Sequence, residues 1–332
     1  MKPQLRLIQK PSQPALLAVT NELELSLREY DRYLKLRQRS PGTREKYAAY
    51  LANLVGWLAE RRVVRPAQLT RLLIREWAAD LPEAWSPATL RLALAVARAW
   101  LGWLYRERLI EEALADVLEA VPVRKRIQRT LSAAEVQVLL DACVPGTLRG
   151  LRDAAIVSLM VDSGLRASEL CRLRVNDVQM NLKFGEVKIN FVVVVGKGGD
   201  ENPAYFGQAT LARLQAWLSV RFARRDVSEV FTSLGGITPG CGLTRFGLGD
   251  LLRKLGDRAG VQGVSPHALR RAFACLADEA GASSLKIQRW GRWSSLAMVE
   301  RYTQALAPGR EYPGYSPMDY LEKKPEQPPR NI

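Results

Sequence analysis

Only one stretch of this 332-residue chain carries a strong β signal, and that scarcity constrains the fold more than any other feature. "GEVKINFVVVVGKGGDENPAYF", residues 185–206, joins a β-branched run, a Gly-rich turn around Lys197 and a short return strand. The sequence on either side reads as helix. "SPGTREKYAAYLANLVGWLAE" begins at a Ser/Thr cap and repeats Tyr47, Leu51, Val55 and Leu58 at helical spacing. "SPATLRLALAVARAWLGWLYRERL" has the same design, with Ser86 as cap, Pro87 in the first turn and Leu90, Leu94, Leu101 and Leu104 along one stripe. With a further helix near 17–38 and a short one near 67–79, residues 14–118 read as a helical bundle with the tryptophans and tyrosines in its core. Ser132 and Glu135 form a capping box that opens the next helix, and the helical pattern resumes from 208. The expectation is a mainly α protein with a small antiparallel β-sheet: an all-α domain over 14–118, a connector over 119–131, an α+β domain over 132–306 and a Pro-rich tail over 307–332.

The length exceeds that of one ordinary domain, and 47% hydrophobic residues suffice for two buried cores. The charge points to a partner. Lys and Arg outnumber Asp and Glu by 49 to 34, a net +15, with 23 against 14 in residues 1–130 and 26 against 20 in the rest. An excess spread over both halves suits a polyanion held between two domains, and nucleic acid ranks above lipid headgroups where no membrane anchor is seen. The connector adds Arg124, Lys125 and Arg126, a run that either crosses a DNA backbone or is simply solvated. No stretch approaches the roughly 18 apolar residues of a membrane span, and "MKPQLRLIQKPSQ" has no apolar signal-peptide region, so a cytoplasmic protein is expected, nucleoid-associated when bound to DNA. Cys143, Cys171, Cys241 and Cys275 form no C-x-x-C pair, which suggests neither a zinc site nor a disulfide framework but reduced, buried side chains.

Three stretches carry residues able to do chemistry. In "SGLRASEL" Arg166 and Glu169 stand at i and i+3 on a helix start. In "SPHALRRAFA" the chain's single histidine, His267, shares a helix face with Arg270, while Arg271 points about 100° away. In "RWGRWSSLAMVERYTQ" Trp293 precedes Tyr302 by nine positions. Taken singly, these could be a surface ion pair, a capping histidine and core aromatics.

In this order, however, "GLRASEL", "VVGKGG", "HALRR", "RWSS" and "ERYTQ" resemble the tyrosine recombinase, or phage integrase, family. The likeness extends over essentially the whole chain, since the helical first domain and basic connector are similar to the family's core-binding domain. The resemblance implies a site-specific DNA recombinase that cuts and rejoins DNA through a 3′-phosphotyrosyl intermediate, with neither metal nor cofactor. Tyr302 would be the nucleophile and Lys197 the general acid for the leaving 5′-oxygen. Arg166 and Arg270 would stabilise charge on the scissile phosphate, and His267 would donate to that phosphate or help move the proton of Tyr302. Trp293 would keep an N–H donor and pack around Tyr302, and Glu169 would orient Arg166 and His267. The implied partners are double-stranded DNA with an inverted-repeat core site and further copies of the chain, as a tetramer on two DNA sites. Type IB topoisomerase relaxation, or a DNA-binding accessory protein without catalysis, are the alternatives.

The sequence departs from the family pattern at the turn, where Asp200 and Glu201 follow Lys197, and at Arg292, which replaces the glycine usual before the His/Trp position. Tyr312, Tyr315 and Tyr320 follow Tyr302, but their Pro/Gly-rich context suits a precisely held nucleophile poorly.

Overall fold

The Asn21 side chain accepts the Glu24 N–H and opens α1 (Glu22–Leu36), whose Leu23, Ser26, Tyr30 and Leu34 fall on one buried stripe. Ser40 and Ser86 cap α2 (Pro41–Glu60) and α4 (Pro87–Arg106), each with proline in its first turn, and Thr70 caps the shorter α3 (Arg71–Ala79). These four helices share a core built on Leu54, Leu58, Trp77, Trp100, Leu101 and Leu104. Burying a tryptophan as fully as Trp100 is worth about 3–5 kcal/mol against alanine. Trp57 departs from the expectation of core aromatics: its Nε1–H donates to Asp80 at 2.9 Å, and the Arg61 guanidinium covers its ring. In this computed structural model residues 21–119, 129–196 and 199–303 are described, and the chain divides into two units, one up to Lys125 and one from Arg126.

The second unit opens with α5 (Ala133–Asp141), where Ser132 and Glu135 form the expected capping box. It continues through α6 (Leu148–Ser163) and α7 (Ala167–Arg172) to a sheet of β1 (Val178–Phe184), β2 (Val187–Val195) and β3 (Glu201–Phe206), and then to α8 (Gln208–Val220). The last helices are α9 (Arg245–Ala259), α10 (Pro266–Glu279), α11 (Ser284–Gly291) and α12 (Leu296–Thr303). Helix α6 buries Ala155, Ile156, Val157, Leu159 and Met160, apolar around most of its circumference, and so runs through the core between α8 and α10.

The sheet is antiparallel in the order β1-β2-β3, with Val192 paired to Val178 on one side and to Ala204 on the other. Its first strand is absent from the sequence reading, for a physical reason. "VQMNLKF" has one β-branched residue, and a bulge between Gln179 and Leu182 breaks its alternation. Asn181 takes φ +54° there, and its N–H is satisfied by the Asn190 side chain at 2.8 Å. The second departure is residues 221–244, which are not helical. Arg221 ties this segment down by donating to the Val227 and Glu229 carbonyls, and Trp217 donates to the Val230 carbonyl.

Candidate active site

Four elements bring the singled-out residues together. Helix α6 ends at Gly164, whose φ of +60° favours glycine and where a Cβ would lie 2.5 Å from the Phe273 ring. That turn delivers Arg166 to the start of α7. The Arg166 N–H donates to Glu169 Oε2 at 2.8 Å and its guanidinium to Glu169 Oε1 at 2.6 Å, so the i, i+3 pair forms as expected. Ser265 caps α10 and Pro266 starts it, which places His267 on the exposed first turn and Arg270 one turn deeper, 4% exposed.

Arg270 is held entirely by backbone: its guanidinium donates to the Gly164 and Gly291 carbonyls. It also stacks over Trp293, with Cζ 4.5 Å from the ring centroid. Burial first, then the neighbouring Arg166 and Arg292 charges, push its pKa down to about 9, so it remains charged at neutral pH.

Tyr302, on α12, is 5% exposed and packs between two of the expected partners. Its ring lies 5.9 Å from that of His267, nearly edge-on at 80°, and 5.7 Å from that of Trp293. The Cys275 Sγ–H donates to the Tyr302 carbonyl at 3.1 Å, tying the nucleophile candidate's own backbone to α10. Partial burial of the His267 ring, reinforced by Arg271 and Arg270, holds its pKa below the ordinary histidine value, so the imidazole is neutral at pH 7.

Glu169 departs from its expected partners. Its carboxylate accepts from Arg166 and from Arg292, whose Nη2 lies 3.4 Å from Oε2, while His267 makes no hydrogen bond to it. Burial pushes this carboxyl up. The Arg166 N–H bond and the charges of Arg292 and Arg166 outweigh burial and keep it below the usual carboxylate range. Arg292 is thus a member of the site that sequence reasoning marked only as a departure from pattern. Arg166 also donates to the Arg292 carbonyl at 3.1 Å, so the loops around 164 and 292 are stitched together by three arginines.

Lys197 lies outside the described residues. What is described of its turn is the Gly196 N–H donating to the Asp200 carbonyl at 2.8 Å between β2 and β3. The connector residues Arg124, Lys125 and Arg126, residues 14–20 of the first domain, Tyr312, Tyr315 and Tyr320, and the tail over 307–332 also fall outside the described residues. The four cysteines are free: Cys143 and Cys275 are buried, Cys171 and Cys241 only partly so. Among the described residues no helix is long and apolar enough to cross a membrane.

Comparison with known proteins agrees with this constellation. The phage integrase family matches residues 129–307, and the phage integrase N-terminal SAM-like domain matches residues 27–108. The tyrosine recombinase XerC of Myxococcus xanthus is 30% identical over 286 residues, covering 80% of this chain and 87% of that one. XerC of Xanthomonas campestris pv. campestris is 29% identical over 269 residues, covering 80% of each. Among solved structures, XerH bound to palindromic difH substrate has a TM-score of 0.66 at 16% identity, over 86% of this chain and 82% of that one. A lambda integrase dimer bound to a COC′ core site has a TM-score of 0.66 at 17% identity, over 88% and 98%. The Arg166, His267, Arg270, Trp293 and Tyr302 cluster lies wholly inside the stretch that matches, and the chain belongs to the phage integrase family, as a tyrosine site-specific recombinase.

Proposed function

We propose that the chain cuts and rejoins double-stranded DNA at an inverted-repeat core site, with Tyr302 as nucleophile and a 3′-phosphotyrosyl link as intermediate. The observation that carries this reading is the convergence on one phenol. His267 and Trp293 flank the Tyr302 ring at 5.9 and 5.7 Å, and Arg270 stacks on Trp293 while bonding the loop that delivers Arg166.

In-line attack of Tyr302 Oη on phosphorus forms one P–O bond as the bond to the 5′-oxygen breaks. The phenol gives up its proton in this step. The neutral His267 imidazole beside it is the available acceptor. Lys197 supplies the proton that the departing 5′-oxygen needs. Negative charge builds on the non-bridging oxygens, and Arg166 and Arg270 meet it as fixed guanidinium donors, with the Trp293 indole N–H as a further donor. A 5′-hydroxyl of the partner strand reverses the step, so the link itself conserves the energy of the cut bond. Tyr302 lies beneath the surface, so cleavage requires α12 to shift toward the DNA.

Exchange between two duplexes needs four cleavages and therefore four protomers on two sites. Arg124, Lys125 and Arg126 lie along the DNA backbone in this reading. Site DNA nicked beside the cleavage position, which lets a short fragment escape, should trap an adduct that survives SDS. Tyr302→Phe should form no adduct while binding DNA normally; an adduct formed by that variant would place the nucleophile elsewhere.

A further inference from the structure

Arg292 occupies a position that a glycine would fill at less cost. It caps α11 in the left-handed region, φ +54° and ψ +45°, where a side chain is strained. Its guanidinium is almost fully buried, with 9% of the side chain exposed, and its Nε–H has no protein partner. Strain, charge burial and an orphaned donor each work against stability. Something other than stability therefore accounts for an arginine here.

The surroundings of Glu169 supply the reason. Its carboxylate is the clamp that fixes Arg166, through the backbone N–H at 2.8 Å and the guanidinium at 2.6 Å. A clamp of opposite charge has a drawback at a phosphate site, because it cancels the charge it orients. Arg292 Nη2 reaches the other side of the same carboxylate, Oε2 at 3.4 Å, and the Ser163 carbonyl at 3.2 Å, while Nη1 donates to the Trp290 carbonyl at 2.7 Å. Arg166 and Arg292 thus share one carboxylate, and with Arg270 beside them, fastened to carbonyls and feeling the same Glu169 charge, the three guanidiniums leave an excess of two positive charges. With the nucleophile ionised, a phosphodiester under attack by phenolate carries two negative charges. Without Arg292 the fixed excess would be one.

We propose that Arg292 is a positioning residue that neutralises Glu169, so that Glu169 can orient Arg166 without cancelling its charge toward the scissile phosphate. The inference rests on the reading of Tyr302 as nucleophile and phosphate as the group attacked. It assigns Arg292 no contact with DNA: its action is electrostatic, through Glu169, and geometric, through the 292 carbonyl that Arg166 holds at 3.1 Å.

Arg292→Gly tests it cleanly, because glycine takes φ +54° without strain and keeps the carbonyl. On the nicked substrate its cleavage rate should fall about 100-fold, with DNA affinity unchanged. A second substrate separates charge from packing: a methylphosphonate at the scissile position removes one negative charge from the phosphate. On it the wild-type protein and Arg292→Gly should cleave within about 3-fold of each other, since the charge that Arg292 serves is gone. Arg292→Gln keeps a donor but no charge and should behave as Arg292→Gly does, while Arg292→Lys should recover most of the diester rate. An equal loss on both substrates means that Arg292 serves structure alone and overturns the proposal; so does a wild-type rate for Arg292→Gln. If Arg292→Gly does not fold, the Gln and Lys variants decide by the same comparison. Failure of the wild-type protein to form any adduct would instead overturn the reading of Tyr302.

Discussion

The second unit carries surface arginine pairs, such as Arg253 with Asp250 and Asp257, as the first does, but it also buries arginines at its candidate site. In the first, Arg61 lies over the Trp57 ring at 3.5 Å and pairs with Asp80, and Arg71 pairs with Glu112 and Asp116, all near the surface. In the second, Arg152, Arg270 and Arg292 are sunk into the fold and fastened to carbonyl oxygens. Burial alone does not mark the site, because Arg152 is buried beside Asp153 at 2.8 Å, a carboxylate that the more exposed Arg258 also reaches at 3.7 Å. What separates the site is that Arg166 and Arg292 share Glu169, while Arg270, buried beside them, has carbonyl partners and no carboxylate of its own. A solvated guanidinium is screened by salt and attracts any nearby phosphate; a buried and under-compensated one is fixed toward a particular anion.

That contrast yields predictions of decreasing size. The largest is Arg270→Ala, which should slow formation of the covalent adduct by about 10²–10³-fold, equivalent to about 2.7–4 kcal/mol of barrier. DNA binding, supported by charge over both units, should change far less in the same gel-shift titration. A loss of binding as large as the loss of cleavage would erase the distinction between attracting and reacting arginines.

A smaller effect concerns His267, whose pKa is lowered by burial and by Arg271 and Arg270. Below its unfolded value of about 6.5 the unfolded chain takes up a proton that the folded site resists. The stability this neutral ring retains is therefore present above about pH 6.5 and lost as pH falls through the folded value. The melting temperature of the DNA-free protein should drop less steeply between pH 7 and pH 5 in His267→Asn than in wild type. Parallel curves would show that the imidazole is not under strain from its cationic neighbours.

The smallest effect is Arg71→Ala in the first unit. Its two carboxylate partners sit in solvent, so melting temperature and adduct formation should match wild type within error. A clear loss there would mean that surface arginines of the first unit do structural work.

Most of the site was legible because helices preserve spacing. His267 and Arg270, three apart on one face of α10, and Trp293 and Tyr302, nine apart across a turn into α12, had to lie close once α10 and α12 packed together. The same logic gave the Ser132–Glu135 capping box and the apolar stripes of α2 and α4. It failed where pairing with distant chain decides the outcome. Strand β1 exists because β2 offers it a partner and Asn190 satisfies its bulge, and residues 221–244 are held by carbonyls that Arg221 finds only in the folded chain. Arg292 shows the limit most plainly. Its place after Gly291 marks it as unusual, but a left-handed backbone that turns its side chain inward to Glu169 is a property of the folded turn. Gly291 itself is required there, since a Cβ would lie 2.1 Å from the Trp293 ring.

The bond from Cys275 to the Tyr302 carbonyl gives the molecule a chemical clock. Burial pushes this thiol up, so it resists ionisation while α12 stays docked. With a thiol reagent in enough excess that reaction outruns reclosing, the labelling rate of Cys275, followed by mass spectrometry, reports the rate at which the contact with α12 opens. The partly buried Cys171 and Cys241 label on their own schedules and serve as internal references. The motion that the proposed attack by Tyr302 calls for can thus be timed in the unmodified protein, with and without DNA, and with no probe placed on the tyrosine itself.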